Sequence, residues 1–254
     1  MIPRAFDLAN KNAVVTGSHR GLGAAIAAAL AKAGANVGCH GRDASPGTCC
    51  DEIRAAGRKT FYFSGELADR KACDGLIAKT LEEFGAIDIL VNNAGVIRRA
   101  PATEYSMEYW DEVVAVDLTA VFRLSQLAAK HMLERGSGGK IVNIASLLSF
   151  QGGILVPAYA AAKGGVAQLT KALANEWASK RINVNAIAPG YMATDNTEAL
   201  RNDPTRSKAI LDRIPAGRWG EPEDISGAAL FLCSAASDYV HGHVLAVDGG
   251  WLAR

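Results

Sequence analysis

The sequence predicts an α/β fold, a parallel sheet with helices on both of its faces. Three observations predict it. Short β-branched runs alternate with Ala- and Leu-rich helical patterns along the chain, the order that builds parallel sheets through crossover connections. A glycine-rich turn joins the first run to the first helical pattern, where such sheets hold phosphate. No linker, repeat or low-complexity tract interrupts the 254 residues, so 1–254 reads as a single domain.

The elements follow in order. Residues 12–16 (NAVVT) form the first strand, and 23–33 a helix ended by Gly34. Residues 36–40 and 60–63 give the second and third strands, followed by a helix over 70–84 that Gly85 ends. Residues 87–91 (IDILV) are the fourth strand, 107–135 one long helical region, and 140–145 (KIVNIA) the fifth strand. A helix over 157–180 carries its proline in the first turn, where the missing N–H costs nothing. Residues 182–188 (INVNAIA) form the sixth strand, 223–234 a helix and 244–247 a short last strand. The segment at about 191–222 breaks this rhythm. It is polar and carries Pro204, Pro215 and Gly217, the pattern of a substrate lid.

Composition narrows the function. A net charge of +1 argues against a nucleic-acid or anionic-membrane partner. The longest apolar stretch is short and broken by Lys32, too little for a membrane span. The opening residues MIPRAFDLANK lack the apolar core of a signal peptide. Five cysteines with no CxxC read as neither a disulfide framework nor a zinc pattern, which suits a reducing cytoplasm. His241 and His243 read as structural, and no carboxylate–histidine cluster suggests a catalytic metal.

The first turn reads Gly17-Ser18-His19-Arg20-Gly21-Leu22-Gly23. Its glycines allow close backbone approach, and the following helix offers free N–H groups to a pyrophosphate. The second strand then ends His40-Gly41-Arg42-Asp43. An arginine beside the adenosine ribose suits a 2′-phosphate, and Arg20 reaches the same place. Asp43 is the residue that would favour a free ribose, but it sits past the expected position. The reading leans to NADP, with NAD as the alternative.

Ser146 follows the fifth strand, and Tyr159 and Lys163 lie four apart on the next helix, hence on one face. Oxidising an alcohol removes a hydroxyl proton as hydride leaves carbon. A free tyrosine is too weak a base for this at neutral pH, and a neighbouring ammonium favours its phenolate. Ser146 is placed to hold the substrate oxygen.

These motifs together resemble the short-chain dehydrogenase/reductase family over essentially the whole chain: TGSHRGLG at 16–23, NNAG at 92–95, Ser146, YAAAK at 159–163 and Pro189-Gly190. The resemblance implies a Rossmann-like three-layer sandwich with a seven-stranded parallel sheet, usually assembled as a homotetramer. It implies that Asn93, Ala94 and Gly95 lie beside the cofactor, with Pro189, Gly190, Met192 and Thr194 along the nicotinamide. It makes Ser146, Tyr159 and Lys163 catalytic. Two positions depart from the family's usual residues. Asp117 stands where a fourth catalytic residue is usually Asn, and Glu66, followed by Leu67, stands where an Asp usually lies near the adenine.

Within the family, NNAGVIRR, IASLLSFQGG, NEWA, INVNAIAPGYMAT, LDRIPAGRWG and VDGGWLAR resemble members that act on sugar acids. A carboxylate substrate calls for a cation. Arg98 and Arg99 border the crevice, and one of them is expected to clamp the acid. Gln151 is placed for sugar hydroxyls, and Arg213 and Arg218 for closing over the ligand. The apolar tail at 249–254 packs on its own subunit or, as the family favours, reaches a neighbour. Competing readings are a gluconate 5-dehydrogenase or a reductase of 3-oxoacyl carriers and, in another class, a non-catalytic nucleotide-binding scaffold. The intact Ser146, Tyr159 and Lys163 set argues against the scaffold.

Overall fold

The computed structural model describes residues 3–254. Met1 and Ile2, the start of the stretch read above for a signal peptide, lie outside the described residues. The chain alternates strands and helices as β1 (Asn12–Val15), α1 (Gly21–Lys32), β2 (Asn36–Gly41), α2 (Cys49–Ala55), β3 (Thr60–Ser64), α3 (Arg70–Phe84) and β4 (Ile89–Asn92). Then follow α4 (Met107–Val114), α5 (Ala120–Arg135), β5 (Gly139–Ile144), α6 (Pro157–Trp177) and β6 (Ile182–Pro189). Last come α7 (Glu198–Asn202), α8 (Pro204–Leu211), α9 (Ser226–Cys233) and β7 (Val244–Val247).

The seven strands form one sheet in the order β3-β2-β1-β4-β5-β6-β7, and every neighbouring pair is parallel. Alternating side chains feed two cores. Val15, Val91, Val142 and Ile187 pack toward α1 and α9, while Val14, Leu90, Ile141 and Val184 pack toward α3, α5 and α6. The Rossmann-like three-layer sandwich is therefore as expected. The chain reverses its direction of travel across the sheet between β1 and β4, so a crevice opens beyond the C-terminal ends of these strands.

Local signals set the helix ends. Asp69 caps α3 by accepting from the Lys71 N–H at 2.9 Å. Gly85 and Gly136 end α3 and α5 in the left-handed region, at φ 76° and 68°, which glycine adopts freely.

Three sequence expectations are corrected. Helix α2 was not anticipated. The region 107–135 is not one regular helix, because a wide π-type turn, Ala115–Thr119, divides α4 from α5. The segment 191–222 is not open loop but contains α7 and α8. The tail packs on its own chain: Trp251 is buried, its ring 4.6 Å from that of Tyr191 and 4.0 Å beneath the Arg213 guanidinium. Among the described residues no helix is long and apolar enough to cross a membrane.

Candidate active site

The glycine turn sits against the end of β4. Gly17 and Gly21 have φ of 61° and 56°. A Cβ on Gly17 would lie 2.9 Å from Ala94 Cα, and one on Gly23 would lie 2.3 Å from the Gly17 carbonyl oxygen. Only glycine fits either place. Asn93 donates its side-chain amide to the carbonyls of Thr16 and Gly17 at 2.8 and 3.0 Å. The Thr16 hydroxyl oxygen accepts from the Asn93 and Ala94 N–H groups, both at 2.9 Å. Asn93 thus braces the turn, which leaves the α1 N-terminus open to the cleft.

His40, not anticipated as a site residue, completes the brace. Its Nδ1 accepts the Gly17 N–H at 3.1 Å, and its Nε2 lies 3.0 Å from the Gly65 carbonyl. Those partners fix the neutral ring with its proton on Nε2. Burial lowers its pKa to about 4, so it stays neutral at physiological pH. Its place beside the turn, at the end of a strand, was the available sequence signal.

The cleft gathers most of the residues named from the sequence. Its floor is Gly17, Gly21, Leu22 and Gly23, with Ala94 and Gly95 opposite. Gly41, Arg42, Glu66 and Leu67 line one end with His19 and Arg20. Pro189, Gly190, Met192 and Thr194 line the other, with Ser146, Tyr159 and Lys163. At the first end, the Arg42 guanidinium lies 3.7 Å from Glu66, and Arg20 lies 3.0 Å from Asp195. Burial lowers the His19 pKa first, and the charges of Arg20 and Arg42 lower it further, against Asp43. Arg20 and Arg42 thus both act on His19, each paired with a carboxylate, Asp195 and Glu66.

Four expected site residues are placed differently. Ser18 does not line the cleft. It is fully buried, its hydroxyl donating to the Val15 carbonyl at 2.8 Å and accepting the His40 N–H at 3.1 Å. Arg98 is saturated by a forked pair with Glu112, at 2.7 and 2.6 Å, leaving little for a substrate. Gln151 accepts the Trp251 indole N–H at 3.3 Å, so it anchors the tail. Asp117 lies behind the cleft wall, fully buried. Arg99 remains available: among the described residues its side chain makes one hydrogen bond, to the Asn196 carbonyl at 3.1 Å.

The catalytic set is built by three elements. Helix α6 presents Tyr159 and Lys163 on one face. The Lys163 ammonium donates to the Ile144 carbonyl at 2.9 Å, lies 3.4 Å from Asp117 Oδ2, and sits 5.4 Å from the Tyr159 ring centre. The π-type turn aims Asp117 inward, where Oδ1 accepts the Val96 N–H at 2.7 Å. Ser146 lies two residues past β5, accepts the Leu148 N–H at 3.2 Å, and lines the cleft beside Tyr159. Below it, Asn92 donates to Asn143 at 2.8 Å and Asn143 to Thr170 at 2.9 Å. This buried polar tie between β4, β5 and α6 was not foreseen.

The electrostatics set burial against the expected effect of Lys163. Tyr159 meets the cleft but is densely surrounded by protein, and burial raises its pKa more than the Lys163 ammonium lowers it. Asp117 adds to the rise, while the Ser146 hydrogen bond and the Arg99 charge oppose it. The protein's own field therefore keeps the phenol protonated. For Lys163, burial acts downward, but Asp117 and then Tyr159 outweigh it, and the net direction is up. Lys163 stays an ammonium. Burial raises the Asp117 carboxyl, against the pull of Lys163.

A glycine-turn crevice with a Ser–Tyr–Lys set at its mouth defines a class of oxidoreductase, and the comparisons agree. The chain belongs to the short-chain dehydrogenase/reductase family. The matching family, described as enoyl-(acyl carrier protein) reductase, spans residues 17–252. A 2-dehydro-3-deoxy-D-gluconate 5-dehydrogenase of Escherichia coli is 54% identical over 100% of both chains. A structure from Agrobacterium tumefaciens, assigned to 2-deoxy-D-gluconate 3-dehydrogenase and holding NADP, is 57% identical. It covers 99% of this chain and 100% of its own with a TM-score of 0.93. A gluconate 5-dehydrogenase of Burkholderia cenocepacia, in complex with NADP and tartrate, is 40% identical with a TM-score of 0.94, over 99% and 98% of the two chains.

Proposed function

We propose that this enzyme interconverts a secondary hydroxyl and a ketone on a sugar acid of the 2-deoxy-D-gluconate or 2-keto-3-deoxy-D-gluconate type, using NADP(H). The observation that carries the reading is Tyr159, sharing the cleft with Ser146 and with the Lys163 ammonium 5.4 Å from its ring centre, at the mouth of a phosphate-binding crevice. The relatives named above support the sugar acid.

The residues fit the cofactor. The glycine floor is a cradle that a Cβ would fill, and the α1 N-terminus favours a pyrophosphate. Arg20 and Arg42 suit a 2′-phosphate. Bound NADP(H) supplies or accepts the hydride. In ketone reduction Tyr159 donates its proton to the oxygen while Ser146 holds that oxygen in place. In alcohol oxidation the phenolate takes the proton back. Lys163 stabilises the phenolate, and Asp117 acts through Lys163 as a positioning residue. The segment 191–222 closes as a lid within one continuous domain. The enzyme works in the cytoplasm, as a homotetramer of the kind usual in the family.

Arg42→Ala is expected to weaken NADPH about 10- to 100-fold, the loss of one charge-assisted hydrogen bond. NADH should be nearly unaffected, and fluorescence titration reads both. Equal effects on the two would contradict the 2′-phosphate reading.

Arg99 is the cation proposed for the substrate carboxylate. Arg99→Ala should raise KM for the acid far more than for a neutral ketone. The activity itself is tested by following NADPH absorbance with 2-keto-3-deoxy- and 2,5-diketo-hexonates, and separately with a 3-oxoacyl thioester. Turnover of the thioester alone would sink the sugar-acid reading.

A further inference from the structure

Cys39, Cys49 and Cys50 bring their three sulfurs within 4.8 Å of one another. Their sequence spacing shows no ligand pattern; the packing of α2 on β2 makes the cluster. All three side chains are shut off from solvent, at 0%, 2% and 1% exposure. Around them lie Ile26, Leu30, Val37 and Ile53.

Burial pushes Cys73 up to about 11 and Cys233 up to about 12. In the cluster, the Cys50 thiol donates to the Phe61 carbonyl at 3.8 Å and the Cys49 thiol to the Pro46 carbonyl at 3.0 Å. The Thr60 hydroxyl oxygen lies 3.6 Å from the Cys50 sulfur.

Coordination number and charge select the ion. Among the described residues no fourth His, Cys, Asp or Glu joins the group, so tetrahedral zinc would lack a protein ligand. Three thiolates around a monovalent ion such as Cu(I) would bury two net negative charges among aliphatic side chains. Around a trivalent centre the charges cancel. We propose that Cys39, Cys49 and Cys50, whose sulfurs the fold holds within 4.8 Å of one another away from solvent, bind a three-coordinate trivalent thiophile of the arsenite class. Three As–S bonds form as three As–O bonds break. Each thiol proton leaves with a hydroxide as water, and no oxidant is needed.

Native mass spectrometry of the reduced full chain with inorganic arsenite tests this directly. One arsenic should bind with loss of three hydrogens, and the thermal midpoint should rise as β2 and α2 are tied. Cys49→Ala and Cys50→Ser, checked for folding by retained turnover, should lose this adduct. A Cys73→Ala/Cys233→Ala variant should keep it. Absence of the adduct in the unmodified protein, an adduct that loses fewer hydrogens, or its equal loss in the Cys73/Cys233 variant would overturn the assignment. Displacement of arsenite by equimolar zinc would do the same. The site stands apart from Tyr159, so these outcomes leave the oxidoreductase reading untouched.

Discussion

Tyr159→Phe is expected to lower kcat for ketone reduction by about 10²- to 10⁴-fold, the usual contribution of a positioned general acid. NADPH affinity should stay nearly constant. The substitution removes one oxygen and keeps the ring beside the Lys163 ammonium, so the fold and the cofactor floor are not disturbed. Ser146 cannot replace the lost proton. A serine hydroxyl is a far weaker acid than a phenol, and Ser146 is left to hold the substrate oxygen. A loss confined to KM would instead mean that Tyr159 only holds the substrate.

Substitutions at Asp117 should divide stability from catalysis. Asp117→Ala strands the buried Lys163 ammonium and the Val96 N–H, which Asp117 now satisfies at 3.4 and 2.7 Å. Breaking a buried pair in this way costs about 3–5 kcal/mol, and a thermal midpoint lower by roughly 10 °C follows for a chain of this size. Calorimetry reads it. Asp117→Asn keeps an oxygen for Val96 and should cost less. Its effect lies in the pH profile. Asp117 raises the Tyr159 pKa, and alcohol oxidation needs the phenolate, so the rate climbs with pH as Tyr159 ionises. Removing the carboxylate lowers that pKa and should move the climb to lower pH. Ketone reduction needs the protonated phenol, so its alkaline fall should move the same way. An unmoved profile would mean that Asp117 does not act through the Lys163–Tyr159 pair.

What was legible in the sequence followed from short-range pattern. The turn from Gly17 to Gly23 and the four-residue step from Tyr159 to Lys163 carry their geometry within a few residues, and strand–helix alternation carries the layer order. What was hidden depended on packing between distant segments. The neutralisation of Arg98 comes from Glu112, on the other side of a loop. The anchoring of Gln151 comes from Trp251, at the far end of the chain. The π-type turn at Asp117 shifts a helix by only one residue, too little to disturb an apolar periodicity. Helix α2 escaped because it is short and its buried positions are Cys49, Cys50 and Ile53, a pattern no helical template demands. Burial of Tyr159 is likewise invisible in a Tyr-x3-Lys spacing, and in the protein without cofactor it raises the pKa more than Lys163 lowers it.

The acid–base account rests on a phenol whose ionisation is set by burial, Lys163 and Asp117 together. Its most direct test is a pH titration of tyrosinate absorbance, taken as the difference between the unmodified enzyme and Tyr159→Phe and repeated on the Asp117→Asn background. The account predicts one ionisation, absent in Tyr159→Phe, lying above the ordinary tyrosine range and moving down when Asp117 becomes Asn. A Tyr159 ionisation that sits at the ordinary value and ignores Asp117 would contradict it.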